Sequence, residues 1–287
     1  MKHEMKLLMA LVVAVLGFFS LSVAFHRDDR KAVTSPAPKI ATPPHQSTST
    51  PVIVELFTSE GCSSCPPADE LLSRLDKEQS IPGANIIALS QHVDYWNQLG
   101  WRDPFSSAQF SARQSSYAEA FARNGVYTPQ MVVDGRLEFV GSNVTKALEA
   151  ITQSASLPKA RVQIELAPNG ETRQSGTVQF AVRIEDIPAI GAGDTAEVLL
   201  AITESDLSSS VARGENAGRN LRHTTVVRQL TTIGSISETK DQASFTAAPV
   251  VNIANSWRRD KLRAVVIVQG RASRHVLGAK AIELAAK

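Results

Sequence analysis

The chain of 287 residues contains only two cysteines, and they stand three positions apart as Cys62 and Cys65. A buried-strand pattern from Pro51 to Thr58 precedes them, and a helical pattern from Ala68 to Leu75 follows. This order places a C-x-x-C motif at the start of a helix, with Cys62 facing solvent and Cys65 more buried. Helix N-termini stabilise thiolates, which are the nucleophiles of disulfide exchange. The order therefore indicates a redox-active dithiol.

The rest of the first half alternates strands and helices. A second strand is predicted before an inserted helical segment, and a hairpin signal precedes a final amphipathic helix. The predicted order is β-α-β, helical insertion, β-β-α. The patterns behind it are the strand Asn85–Leu89, the helical segment between Asp103-Pro104 and Asn124-Gly125, the strands Met131–Val133 and Leu137–Val140 around Asp134-Gly135, and the helix Val144–Ile151.

After Pro158 the pattern changes to short strands separated by turn signals, which predicts a β-sandwich of about seven strands. Acidic residues outnumber basic ones in 51–157, and the reverse holds in 158–287, which supports a domain boundary near Leu157 and Pro158. The predicted strands are Val162–Ala167, Thr177–Ile184, Val198–Thr203, His223–Leu230, Ser244–Ala247, Leu262–Val268 and Lys280–Leu284.

The N-terminal segment has the pattern of an export signal. Lys2 and Lys6 precede the apolar run Leu7–Ala24, which ends in a small-x-small cleavage pattern. Residues 1–24 are therefore predicted to be a signal peptide or, uncleaved, a signal anchor, and residues 25–50 a Pro/Ser/Thr-rich linker. Both alternatives place the remainder in the periplasm or outside the cell, with membrane attachment only through residues 7–24.

The first domain resembles the thioredoxin fold, because the C-x-x-C motif follows the first strand and Thr128-Pro129 precedes the hairpin. The resemblance implies that Pro129 is a cis-proline that shapes a substrate groove beside the dithiol. It also implies that Glu55 occupies the place of a buried carboxylate beneath the dithiol. Two interpretations of Glu55 remain open: a proton relay to Cys65, or a solvated glutamate at the sheet edge.

Longer motifs are similar to an exported bacterial family catalogued as domain of unknown function 1223. They comprise Val54–Asp69, His92–Phe105, Val126–Gly135, and Gly214 through Leu221 with His223. The resemblance covers most of residues 51–287 and implies no particular reaction. The polar loop Gly214–Asn220 is predicted to be a turn, with anion binding or docking on the first domain as alternatives.

These observations predict an exported thiol–disulfide oxidoreductase without a cofactor. Cys62 attacks, Cys65 resolves the mixed disulfide, and the partners are exported thiol or disulfide proteins and an external redox partner. Thr128, His92, Asp94 and Trp96 are candidate groove residues; structural packing of His92 and the tryptophans is the alternative.

Other classes of function are less well supported. Two thiolates with His92 suit Cu(I) or Zn(II), so a metal chaperone or a non-catalytic scaffold is the alternative, although the sequence has no second C-x-x-C. No metal site is therefore assigned. The net charge of +2 gives no case for nucleic-acid binding.

Overall fold

The computed structural model describes residues 49–172, 176–237 and 244–284. The predicted signal segment and all but the last two residues of the predicted linker lie outside these ranges. Within the described ranges, no helix combines the length and the apolar character needed to cross a membrane.

Residues 49–157, here called the first half, contain four strands and three helices in the order β-α-β-α-β-β-α. They are β1 (Thr50–Thr58), α1 (Pro66–Glu78), β2 (Ala84–His92), α2 (Ala108–Ala120), β3 (Gln130–Val133), β4 (Leu137–Val140) and α3 (Val144–Ala155). β1 pairs with β2 in parallel and with β3 antiparallel, and β3 continues into β4 as a hairpin.

The described part of residues 158–284, here called the second half, contains ten strands, whereas the sequence predicts about seven. Short strands such as Leu207–Ser210 and Val250–Asn252 lack an extended alternating pattern. They are β5 (Arg161–Thr172), β6 (Thr177–Glu185), β7 (Ala196–Glu204), β8 (Leu207–Ser210), β9 (Asn220–His223), β10 (Val226–Ile236), β11 (Phe245–Ala247), β12 (Val250–Asn252), β13 (Leu262–Gly270) and β14 (Val276–Glu283), with a 3-10 turn at Arg259–Lys261.

Strands from both halves share one eight-stranded sheet, in the order β14-β13-β7-β10-β2-β1-β3-β4. The junction is a short parallel contact in which Val226 of β10 pairs with Ser90 of β2, and the Ser90 N–H donates to the Thr225 carbonyl (2.9 Å). The predicted boundary near Leu157 lies between α3 and β5. The halves are thus continuous through backbone hydrogen bonds across that boundary.

A second sheet, built around β6, packs on the part of the first sheet that contains β7 and β13. β6 pairs with β5, β11 and β12, and its inward residues Phe180 and Ile184 share a core with Leu200 and Val266. Alternation along β6 buries every second side chain, as expected for a strand with one face in a core.

The two faces of β1 pack against different helices. Val54 and Leu56 belong to the core that contains the buried face of α1 and of α3, including Leu72 and Ile151. Phe57 packs instead with Tyr117 of α2. Because successive strand side chains point to opposite faces, Glu55 lies on the α2 side of the sheet.

The Asp134-Gly135 turn joins β3 to β4, as the sequence predicts, and fastens the first half to the second. Asp134 accepts a hydrogen bond from the Ile53 N–H (2.9 Å) and lies 2.6 Å from Lys159 Nζ. Gly135 has φ +63° and could carry no side chain, because a Cβ would lie 1.8 Å from the Arg274 carbonyl oxygen. A sharp turn and a close approach therefore explain this glycine.

Candidate dithiol site

Cys62 and Cys65 form a disulfide between the end of β1 and the start of α1, with their Cα atoms 5.4 Å apart. Pro66 and Pro67 are the first two residues of α1 and supply no N–H. The N–H groups of Ala68 and Asp69 donate to the Cys65 carbonyl (2.8 and 3.1 Å). The first four residues of α1 therefore offer a Cys65 thiolate no free N–H, and only the macrodipole remains to stabilise it.

Both cysteines are buried: Cys62 is 1% exposed and Cys65 0%. The prediction of a solvent-facing Cys62 is wrong, because residues Gly214–Arg219, here called the cap loop, lie over the motif. The Asn216 side-chain amide donates to the carbonyls of Glu60 and Cys62 (both 2.9 Å), and the Ser63 N–H donates to the Glu215 carboxylate (2.9 Å). Of the alternatives for this loop, the structure shows docking on the first half.

Thr128, Pro129 and Trp96 lie beside the dithiol. The Thr128–Pro129 peptide bond is cis. Gly141 lies between Pro129 and Ala68 of α1. A Cβ added to Gly141 would lie 3.2 Å from the Pro129 Cβ and 3.1 Å from the Ala68 Cβ. Trp96 packs against Gly61, next to Cys62, and its indole N–H donates to the Thr128 hydroxyl (2.8 Å). The structure thus brings two of the four candidate groove residues, Thr128 and Trp96, together with Pro129.

Asp94 and His92 have other partners. Asp94 accepts a hydrogen bond from the Ser111 hydroxyl of α2 (2.5 Å), and its own N–H donates to the Ser111 oxygen (3.1 Å). His92 is fully buried, with Nδ1 2.6 Å from Asp103 Oδ2. Asp94 therefore anchors α2, and His92 belongs to the interior beneath the dithiol.

Four buried polar residues, Glu60, His92, Asp103 and His223, form a histidine cluster below the cap loop. His223 Nε2 lies 2.9 Å from Glu60 Oε1, the Glu60 N–H donates to Asp103 Oδ2 (2.9 Å), and the two imidazole centroids are 4.8 Å apart. Burial lowers the pKa of His92, but the Asp103 carboxylate outweighs it and holds that pKa above its ordinary value. His92 is therefore stabilised as a cation.

The alternative function of a Cu(I) or Zn(II) chaperone would need a group of histidine, cysteine or carboxylate side chains that can bind the metal. Throughout the described ranges, no group of three or more such side chains is arranged to hold a metal ion.

Glu55 fits neither sequence interpretation. It is fully buried and forms an ion pair with Arg113 of α2, with Nε–Oε2 2.6 Å and Nη2–Oε1 2.9 Å, and it also accepts hydrogen bonds from Tyr117 and Gln91. Burial alone would raise the pKa of Glu55, but Arg113 and these donors hold it below its ordinary value. Glu55 is therefore a structural group, stabilised in its ionised form, on the face of β1 opposite α1.

Asp69, in the first turn of α1, is a site residue that the sequence reasoning missed. Its Oδ1 is buried and has no hydrogen-bond partner among the described residues. Burial raises the pKa of Asp69 to about 6, against the lowering effect of His223 and His92. The signal in the sequence is the spacing: Asp69 follows Cys65 by four residues, which is one turn of a helix.

The raised pKa of Asp69 predicts a pH-dependent stability. A group whose pKa is raised on folding stabilises the protein below its unfolded pKa, and that contribution disappears as the pH rises through about 6. Asp69→Asn should therefore be more stable than the wild type at pH 7.5 by about 1–3 kcal/mol, and this advantage should shrink at pH 4.5. Thermal unfolding at both pH values measures it. The matched variant Glu70→Gln, at an exposed neighbour, should show no such difference, and an equal change in both variants would contradict the assignment.

The described residues define a class of protein: a mostly β structure with a large mixed sheet and three helices, in which a loop from the second half covers a C-x-x-C disulfide at the start of a helix. Residues 53–269 match the family described as "Protein of unknown function (DUF1223)", and the chain belongs to that family. No curated protein matches the chain.

Two solved structures resemble the chain over 82% of its length. Protein AGR_C_4864 from Agrobacterium tumefaciens is 28% identical, with a TM-score of 0.61 and 95% of its own chain covered. HBP35 of Porphyromonas gingivalis is 14% identical, with a TM-score of 0.57 and 76% of its chain covered. The second likeness concerns the fold alone.

Proposed function

We propose that the protein is an exported thioredoxin-like thiol–disulfide oxidoreductase. The observation that carries the proposal is the position of the Cys62–Cys65 disulfide, between the end of β1 and the first turn of α1, with Pro129 next to that turn. A pair of cysteines that bond to each other across two residues can exchange electrons with a partner dithiol or disulfide without a cofactor.

The arrangement of β1 to α3 supports the thioredoxin-like part of the proposal. The strands run in the order β2-β1-β3-β4, with α1 and α3 on one face and α2 on the other. The insertion of α2 between β2 and β3 supplies Arg113, which neutralises the charge of Glu55, and Tyr117, which donates a hydrogen bond to it. The proposal of export depends on the signal-like sequence of residues 1–24. The expected partners are therefore other exported proteins.

In the reaction, two electrons pass between the dithiol and a partner disulfide. The Cys62 thiolate attacks one partner sulfur, forming a mixed disulfide and releasing the other sulfur as a thiolate; Cys65 then attacks Cys62 Sγ and releases the second partner sulfur. Because Cys62 is 1% exposed beneath the cap loop, attack requires that loop to separate from the motif. The reverse sequence reduces the protein's own disulfide.

The test is a trapping experiment with Cys65→Ala in the full chain. Without the resolving thiol, mixed disulfides on Cys62 should accumulate and be released by a reductant, whereas Cys62→Ala should trap none. Mass spectrometry of thiol-blocked extracts of the exported fraction identifies the partners. Absence of mixed disulfides under both oxidising and reducing growth would overturn the proposal and leave a structural disulfide in a binding scaffold.

A further inference from the structure

The proposed exchange needs a group that accepts the proton of the Cys65 thiol, because the attacking species is the thiolate. Glu55 does not supply this function, since it is paired with Arg113 on the face of β1 opposite α1. The first turn of α1 gives little help, because its two prolines lack N–H groups and its next two N–H groups bind the Cys65 carbonyl. The resolving thiol therefore requires a nearby base.

We propose that Asp69 is the proton-transfer residue of the dithiol, accepting the Cys65 proton directly or through one water. This inference rests on the proposed function. Side chains of a helix lean toward its N-terminus, so a residue four positions after another covers it. Asp69 stands in that relation to Cys65, and its N–H is hydrogen-bonded to the Cys65 carbonyl (3.1 Å).

The surroundings of Asp69 suit a base that works near neutral pH. The buried Oδ1 makes no hydrogen bond in the described ranges, and the Thr58 hydroxyl, also without a hydrogen bond there, lies close enough to favour the ionised carboxylate. His223 and His92 favour its ionised form, whereas burial, together with the Asp103 charge, favours its neutral form. The other charged groups facing this region are Glu60 of the histidine cluster, and Glu70, Arg219 and Arg222, which line the adjoining cavity. The balance leaves Asp69 ionised above about pH 6.

A cavity of about 350 Å³ connects Asp69 with the outside. It lies between α1 and β9 and is lined by Pro66, Asp69, Glu70, Ser73 and residues 219–222. The volume holds several water molecules. A proton taken from the buried Cys65 can therefore reach water through this cavity, between α1 and residues 219–222, the first of which is the last residue of the cap loop.

In the mixed disulfide, the Cys65 thiol gives its proton to the Asp69 carboxylate, and the resulting thiolate attacks Cys62 Sγ. The Cys62–partner bond breaks, the Cys62–Cys65 bond forms, and the partner sulfur leaves as a thiolate. The partner disulfide has then gained the two electrons that the dithiol has lost, and Asp69 releases its proton to water in the cavity.

The experiment measures how fast the reduced full-length protein closes its own disulfide after forming a mixed disulfide with a small aromatic disulfide, between pH 4.5 and 9. In the wild type, the closing rate should fall as the pH drops through about 6, where Asp69 becomes protonated. In Asp69→Asn that inflection should disappear, and the rate at pH 7 should fall about tenfold or more, within the range of general-base effects. Glu78→Gln, at the exposed last residue of α1 and outside the cavity lining, should keep the wild-type profile.

The outcomes separate this inference from the proposed function. A wild type that never forms the mixed disulfide overturns the proposed function. A wild type that exchanges normally, with Asp69→Asn retaining both the rate and the inflection near pH 6, overturns the role of Asp69 alone. Circular dichroism and thermal unfolding of Asp69→Asn show that it is folded, and a folded variant without the inflection supports the proposal.

Discussion

Replacing Arg113 by Met should destabilise the protein by about 3–5 kcal/mol, because it leaves the Glu55 carboxylate buried without its cation. The Arg113 side chain is 6% exposed and that of Glu55 0%, so water cannot take over the lost bonds. Burial then raises the pKa of Glu55 in the variant, so the penalty should be smaller at pH 4.5 than at pH 7. Denaturant unfolding at the two pH values measures the loss.

The chain offers a matched control in another arginine–glutamate pair. Arg123 and Glu138 also form an ion pair, but the Arg123 side chain is 45% exposed. Arg123→Met should therefore cost less than about 1 kcal/mol and depend little on pH. The double variant Glu55→Gln with Arg113→Met should recover part of the lost stability. Equal losses for the Arg113 and Arg123 variants would contradict the structural role given to the buried pair.

Replacing Asn216 by Ala should make the Cys62–Cys65 disulfide react about tenfold faster with a small thiol. The Asn216 amide donates to two carbonyls of the dithiol segment, those of Glu60 and Cys62, and is itself fully buried. Losing two such bonds lowers the cost of separating the cap loop by about 1–3 kcal/mol, and 1.4 kcal/mol corresponds to a factor of ten. Stopped-flow reduction with thiol in excess gives the rate.

Asn220→Ala is the matched control for this variant. Asn220 is exposed and bonds the Ser210 hydroxyl at the surface (2.5 Å), so its loss should leave the reduction rate within a factor of two. If Asn216→Ala and Asn220→Ala both react at the wild-type rate, the cap loop does not control access to Cys62.

Local patterns predict much of the first half of the fold. The strand before Cys62, the helix after Cys65 and the Asp134-Gly135 hairpin depend on neighbouring residues, whose spacing and turn chemistry the sequence shows directly. The placement of Thr128-Pro129 beside the dithiol follows from the resemblance to a known arrangement, not from local pattern.

Contacts between distant residues are what the sequence does not show. Asn216 lies 154 residues after Cys62, and Arg113 lies 58 after Glu55. A buried glutamate and a solvated one look alike in a sequence, because the arginine that neutralises the first can lie anywhere in the chain. The junction between β2 and β10 is missed for the same reason: a single paired position leaves no periodic pattern.

The shared sheet determines how this chain can be divided. A fragment that ends at residue 157 keeps both cysteines but loses Asn216 and His223, and it leaves the end of β2 as an open edge of the kind that promotes aggregation. The second half alone keeps the cap loop but lacks the C-x-x-C motif that this loop covers. We therefore expect neither piece to fold as an independent module, whereas insertions and deletions in the surface loops should be tolerated better.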